Sequence, residues 1–293
     1  MIKYTLIDDA AISLGGTSLT LDAITEPFKD ECEIISSADL CHTHLQFKHP
    51  QVWIIGNTLG LNKESYETLI TILQTKRTVK IDFDYGFCKY RGPTPHRILG
   101  KKECDCITNP ETLSLKNIYT LIHNNCSAVF YMSEQQRQIH KTFFPVSDER
   151  SQVLTSCFTS SSLKKMKELR ESTKNGKYAI IQGHPGWHSQ AKGVSEAVNY
   201  ALQNNLDYDI ISTKTHNEML ETLGAYKGLV FLPIIEDTCP RITIEAKLMG
   251  LEVLTNDNSQ HTTENWWNSS LDDIESYLAE RPQILHHEIS NLS

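Results

Sequence analysis

No apolar run in this 293-residue chain approaches the roughly 20 residues that a membrane-crossing helix needs. No membrane span is therefore expected. The N-terminus opens on a strand-like run, Tyr4–Ile7, without the basic and apolar regions of a secretory leader, so a cytoplasmic location is expected. Positive charge is not in excess either. Lys and Arg total 28 against 36 Asp and Glu, a net charge of −8, which argues against a wholesale nucleic-acid binder and leaves room only for a local basic groove. The sequence has no internal repeat, no low-complexity tract, no Walker loop, no complete dinucleotide fingerprint and no obvious side-chain nucleophile. What remains, 39% hydrophobic and 22% charged residues, is the mix of an ordinary α/β protein with ample core.

Short apolar runs alternate with polar helical stretches. Tyr4–Ile7, Ile34–Ile35, Val52–Ile55, Val79–Ile81 and Ala128–Tyr131 read as strands, with helices at Leu19–Phe28, Lys63–Gln74 and Glu134–Phe143 among them. Such alternation predicts a doubly wound parallel sheet. After a strand at Val153–Thr155, the serine-rich Ser156–Ser162 reads as a linker and Leu163–Ser172 as a solvated helix. The alternation then restarts with strands at Tyr178–Gln182 and Tyr208–Ser212 and helices at Gly193–Gln203 and Asn217–Leu223. A last helix, Leu271–Glu280, is expected to end near Pro282, ahead of a partly loose tail. The expected division is 1–155, 156–275 and a terminal 276–293.

The segment from Leu229 to Asn256 is the most informative. It reads as a buried strand (Leu229–Pro233), a polar loop, a helix (Thr243–Met249), a glycine stop at Gly250 and a second strand (Glu252–Leu254). A short helical crossover implies a parallel pair, and ligands in such sheets sit beyond the strand carboxyl ends, near helix N-termini. Glu236, Asp237, Thr238, Cys239 and Arg241 fall there, with Glu245 one turn further on. Asp237, Arg241 and Glu245 recur at four-residue intervals, close to one helical face. Carboxylates suit sugar hydroxyls, whereas N–H groups and an arginine suit phosphates, so a nucleotide-sugar matches both. Taken alone, Glu236 and Asp237 also read as a helix-entry pair favoured by the macrodipole.

Pro233, Asp237, Glu245, Ala246 and Gly250 resemble the donor-binding segment of retaining glycosyltransferases of the GT-B fold, in the group 1, family 4-like class. The resemblance implies two Rossmann-like domains with parallel sheets facing across a cleft. It implies sugar transfer from a nucleotide-sugar, UDP- or GDP-linked, to a hydroxyl acceptor, with retention and without a catalytic metal. Asp237 would contact the transferred sugar and Glu245 the ribose hydroxyls. Two other places fit the same pattern. Gly15-Gly16 stands between the first strand and first helix, where the family carries a Gly-Gly loop; by itself the pair reads equally as a plain turn. Lys192-Gly193 opens a helix as the family's diphosphate-binding lysine does, and His184 stands where arginine is usual; by itself Lys192 is a solvated lysine. Asp237, Glu245 and Lys192 are thus the expected catalytic residues. Gly15, Gly16, His184, Glu236, Thr238, Cys239 and Arg241 join them at the donor. The sequence departs from the family in having Asp at position 237 and Thr-Cys-Pro-Arg after it, in place of a glycine-aromatic-glycine run, which puts the donor sugar in doubt.

Eight cysteines without a leader should mostly be reduced. Cys88, His96, Cys104 and Cys106, spaced C-x7-H-x7-C-x-C, supply four ligands of the kind that closes a tetrahedral structural zinc site. The spacing is no standard zinc-finger signature, and a loop with free cysteines is the alternative. The segment itself shows neither strand nor helix periodicity. Its basic residues Lys89, Arg91, Arg97, Lys101 and Lys102, with Tyr90, suit either a solvated loop or contact with a polyanionic, even nucleic-acid, acceptor. Cys41–His44, Asp82–Tyr85 and Asn256–His261 follow strands and could border the ligand. Within the same fold, a nucleotide-sugar epimerase or a non-catalytic nucleotide-sugar-binding protein are the other readings, and a redox or zinc-organised interaction module, resting on the cysteine cluster, is a third.

Overall fold

The computed structural model describes residues 2–9, 15–46, 52–110, 113–182, 191–212 and 215–292. The chain divides into two compact units, Met1–Cys157 with Glu280–Ser293, and Phe158–Ala279. Each is an α/β layer structure built on a parallel sheet.

The first unit holds β1 (Tyr4–Asp8), β2 (Cys32–Ser36), β3 (Val52–Ile55), β4 (Arg77–Asp82), β5 (Ala128–Tyr131) and β6 (Ser151–Val153) in the order 2-1-3-4-5-6. Every pairing is parallel. β1, β3 and β5 are buried along their whole length, the signature of strands covered on both faces. The helices are α1 (Gly16–Thr25), α2 (Lys63–Thr75), α3 (Pro93–Gly100), α4 (Leu113–Asn125) and α5 (Glu134–Phe143). Asn62 and Ser65 form a reciprocal capping box that fixes the start of α2, satisfying N–H groups the helix leaves open.

The second unit holds β7 (Tyr178–Ile181), β8 (Tyr208–Ile211), β9 (Gly228–Phe231) and β10 (Glu252–Thr255) in the order 8-7-9-10, again all parallel. Its helices are α6 (Ser160–Arg170), α7 (Val194–Gln203), α8 (His216–Gly224), α9 (Arg241–Leu248) and the first part of α10 (Leu271–Asn291). Strand order reverses between β1 and β3 in the first unit and between β7 and β9 in the second. In doubly wound sheets the ligand crevice lies outside the carboxyl ends of the strands at that reversal. The loops after β7 and β9, which carry Lys192 and Glu236–Arg241, are therefore the ones the topology brings together.

Three expected boundaries are corrected. Strand β6 ends at Val153, not Thr155, because Thr155 takes φ +61°, a left-handed conformation that no strand contains. The serine-rich stretch is not all linker. Thr159 caps α6 by accepting a hydrogen bond from Ser162 N–H, so the helix begins at Ser160. The final helix passes through Pro282 to Asn291 rather than stopping near it. A proline inside a helix costs about 3 kcal/mol. Ile274, Leu278, Leu285 and Ile289 are fully buried at helical spacing along α10, and burial of each is worth about 1.5–3 kcal/mol. Packing outweighs the lost hydrogen bond.

Candidate functional site

The turn before α7 and the loop after β9 are held together by backbone geometry. Gly193 has φ +69°, and a Cβ there would collide with the carbonyl oxygen of Leu232. Only glycine allows this approach. Ile234 N–H donates to the Ala191 carbonyl at 3.1 Å across the same junction. The result is that Lys192 Nζ pairs with Asp237 Oδ2, a juxtaposition of residues 45 positions apart in sequence. Lys192 is half exposed, its side chain at 46%, and Asp237 is mostly covered, at 17%.

The loop bearing Asp237 is latched from the other side by the segment after β10. Asn256 and Asn258 both donate from Nδ2 to the Pro233 carbonyl, at 3.0 and 2.8 Å. Asp237 N–H donates to the Asn258 carbonyl at 2.8 Å, and Gln260 N–H to the Asp237 carbonyl at 3.1 Å. Asn256–His261 thus holds the loop in place. Within it, Ser259, Gln260 and His261 are fully buried, and His261 stacks on Trp266 at 5.8 Å. His261 is a core residue here, not the ligand-bordering group its position suggested.

Glu245 lies inside α9, only 2% exposed. Its Oε1 accepts from Arg241 Nε at 2.8 Å and lies 2.7 Å from His216 Nε2. Arg241, itself buried, stacks its guanidinium on the Phe158 ring at 3.9 Å. Burying a carboxylate costs free energy unless it is paired and hydrogen-bonded, and this site supplies both partners. The expected four-residue ladder is realised for Arg241 and Glu245, whereas Asp237 precedes the helix and turns to Lys192. Thr238 is buried, Glu236 is half-buried, and Cys239 packs against the second core.

Two members of this cluster were missed by the sequence reading. His216 occupies the first turn of α8, set there by a capping box in which Thr215 Oγ1 accepts from Glu218 N–H and Glu218 Oε2 accepts from Thr215 N–H. The Thr-x-x-Glu signature was present in the sequence and would have placed His216 at the carboxyl end of β8. Phe158 had no such signal, because its role comes from tertiary stacking alone.

In the first unit, Gly15 is the N-cap of α1 with φ −168°, an extended conformation open to any residue, and Gly16 is the first helical residue. A Cβ at Gly15 would meet nothing within 4 Å among the described residues. Asp9 ties the end of β1 to the loop after β3, accepting from Leu59 N–H at 2.9 Å and Gly60 N–H at 3.0 Å, and it also accepts from the Ser37 hydroxyl. His184 lies outside the described residues.

Asp82, one of the residues placed at a strand end, is not an open site but part of a buried network. Lys80 Nζ lies 2.9 Å from Asp82 Oδ1, and His123 Nε2 and His140 Nδ1 lie 3.4 and 3.5 Å from its Oδ2. Burial pushes the Asp82 carboxyl up, but Lys80, with the two histidines, outweighs this and holds it below the usual range. The lysine charge beside this carboxylate opposes a metal cation there. Asp84 instead faces Arg91, whose Nη1 donates to Asp84 Oδ2 at 2.8 Å, with Asp9 Oδ2 3.5 Å from Nη2. His42, in the Cys41–His44 stretch, reaches Glu64 at 3.4 Å with both side chains half exposed.

Burial lowers His140 to about 4 and His261 to about 3. An unfolded histidine titrates near 6.5. Below that pH the unfolded chain takes up protons that the folded chain refuses, so stability present above 6.5 is lost as pH falls. Between pH 7 and 5 each of the two should cost about 2 kcal/mol, read as a falling urea midpoint. His261→Gln should remove about half of that dependence; an unchanged midpoint in the parent protein would contradict the burial.

The segment after β4 is more structured than its sequence suggested. Residues 93–100 form α3, where no helical periodicity was legible. Pro93 supports the first turn, since its missing N–H is unneeded there. Cys88, His96 and Cys106 are fully buried and Cys104 half-buried. Their ligand atoms all lie within 4.8 Å of one another. The basic residues Lys89, Arg91, Arg97, Lys101 and Lys102 stay exposed around them.

No protein-family model and no curated protein sequence matches the chain. Solved structures do. HepE from Anabaena, in complex with UDP and glucose, superposes with a TM-score of 0.56 at 11% identity, over 99% of this chain and 100% of that one. HepE in complex with UDP-glucose gives 0.53 at 12% identity, over 98% of this chain and 99% of that one. The catalytic domain of starch synthase IV from Arabidopsis thaliana, bound to ADP and acarbose, gives 0.54 at 7% identity, over 89% and 84%. The chain has the GT-B fold that these proteins share.

Proposed function

We propose that this protein is a glycosyltransferase that moves a sugar from a nucleoside-diphosphate-linked donor to a hydroxyl acceptor. The observation that carries this reading is the Lys192–Asp237 pair at the β7/β9 strand reversal, with Glu245 fixed by Arg241 and His216 on the helix that follows β9. Lys192 supplies a cation where a diphosphate leaving group would gather negative charge. That charge is met by a group already in place, the arrangement that lowers a transition state without reorganisation. In the donor complex, diphosphate oxygens replace the Asp237 carboxylate at Lys192, and Asp237 is released toward hydroxyls of the sugar. Glu245, held through Oε1 by Arg241 and His216, accepts from the ribose hydroxyls. Gly15 has no steric reason within the described residues to be glycine, which suits close approach of a ligand to the backbone there. Retention and independence from a catalytic metal follow from the family resemblance and belong to the same proposal. UDP- and GDP-linked sugars are the donors to try first, UDP being the nucleotide bound by HepE.

The reading is tested by the rise in unfolding temperature across a panel of nucleoside-diphosphate sugars, followed by product identification for the donor that binds. One donor should stabilise the protein, and at 100 times its Kd the gain is about 2.7 kcal/mol. Isomerised sugar without acceptor would point to an epimerase, and binding without any turnover to a binding protein. No shift with any donor would overturn the proposal.

A further inference from the structure

The four side chains of the Cys88 cluster converge at the edge of the first unit's core, from the connection between β4 and α4. Cys88 lies in the turn after β4, His96 on the buried face of α3, and Cys104 and Cys106 just beyond that helix. Cys88 Sγ is 3.6 Å from Cys104 Sγ and 3.7 Å from Cys106 Sγ. His96 Nδ1 is 3.5 Å from Cys88 Sγ and 3.4 Å from Cys106 Sγ. A tetrahedron with metal–sulfur bonds of about 2.3 Å and metal–nitrogen bonds of about 2.05 Å has edges of about 3.8 Å between sulfurs and about 3.6 Å from sulfur to nitrogen. The observed separations match those edges to within about 0.2 Å. They are also well beyond the roughly 2.05 Å of a disulfide.

The surroundings complete the case. Asp105 Oδ1 lies 3.7 Å from His96 Nε2, the ring nitrogen that points away from the sulfurs, where a carboxylate commonly orients a ligating histidine. Gly100 keeps the space beside the imidazole open, since a Cβ there would come within 2.7 Å of His96 Cδ2. Lys102 Nζ pairs with Asp105 Oδ2 at 2.7 Å, which holds the carboxylate beside the imidazole. Arg91, inside the span that these ligands enclose, reaches Asp84 just after β4 and Asp9 just after β1.

We propose that Cys88, His96, Cys104 and Cys106 bind one structural zinc ion as a closed Cys3His site that orders the connection between β4 and α4. Binding releases the thiol protons and forms three metal–sulfur bonds and one metal–nitrogen bond, with no change of oxidation state. The site is independent of the donor-binding reading and stands or falls separately from it.

The test is metal analysis of the full chain purified without chelator. About one zinc per chain is expected, with three fewer thiols reactive toward a thiol reagent than after the metal is removed. Cys104→Ser, at the least buried ligand, should retain less than half of the zinc while keeping native far-ultraviolet dichroism. Replacement of zinc by Co2+ should give the intense visible bands of a tetrahedral thiolate site, with weakened sulfur-to-cobalt charge transfer in Cys104→Ser. Folded wild-type protein with under about 0.1 zinc per chain and no cobalt spectrum would overturn the proposal. So would a disulfide between any two of these cysteines under reducing purification, or full zinc content in both Cys104→Ser and Cys88→Ser.

Discussion

Lys192→Ala is expected to lower kcat/KM for sugar transfer by roughly 10²–10³, the cost of deleting one preorganised charge aimed at a leaving group. Stability should barely change. The Lys192–Asp237 pair is partly exposed, and such pairs contribute about 0–1 kcal/mol to folding. The separation of the two effects is what makes the variant informative. Lys192→Arg should recover part of the activity, because the charge is kept while the reach differs. A Lys192→Ala protein with parental activity would remove Lys192 from the site. The geometry behind the expectation is local and stringent: Gly193 packs on the Leu232 carbonyl, so the lysine cannot drift from the end of β9 without unmaking that junction.

Glu245→Gln should do two things at once. Glutamine keeps the volume and one acceptor oxygen but removes the charge that Arg241 Nε bonds at 2.8 Å. Breaking a buried ion pair from one side costs about 3–5 kcal/mol, and the same loss frees His216 from its carboxylate partner. Unfolding midpoints should therefore fall by several degrees. Affinity for the matching nucleoside diphosphate should fall roughly 10–100-fold at temperatures where the variant is still folded, since bonds from hydroxyls to a charged acceptor exceed those to a neutral one. Calorimetric titration of folded Glu245→Gln checks this. Parental affinity together with the loss of stability would make Glu245 a structural ion-pair member only.

The strands that were easiest to read are those with nothing polar to confuse them. Val52–Ile55 and Ala128–Tyr131 are covered on both faces and match their sequence runs residue for residue. Lys80 inside β4 is the opposite case. Its burial depends on Asp82 and the Ile81 carbonyl beside it on β4 and on the Gly56 carbonyl just beyond β3, at 2.8–2.9 Å, and only the last of these leaves no trace in a local pattern. The glycine of Lys192-Gly193 was legible as a motif, but its reason, contact with Leu232, is tertiary. Pro282 misled because the local cost of a proline is visible in sequence, whereas the buried stripe Ile274, Leu278, Leu285 and Ile289 that outweighs it is decided by what α10 packs against. The cysteine–histidine spacing was visible as a set of ligands. That α3 bends the chain so that all four meet was not, because eight residues with two prolines carry no periodicity.

The most direct test of the donor site is the nucleoside-diphosphate-sugar panel run in parallel on the parent protein and on Lys192→Ala. The account predicts that one donor raises the unfolding midpoint of the parent and raises that of Lys192→Ala much less at the same concentration. Equal shifts in the two proteins, or none in either, would contradict it.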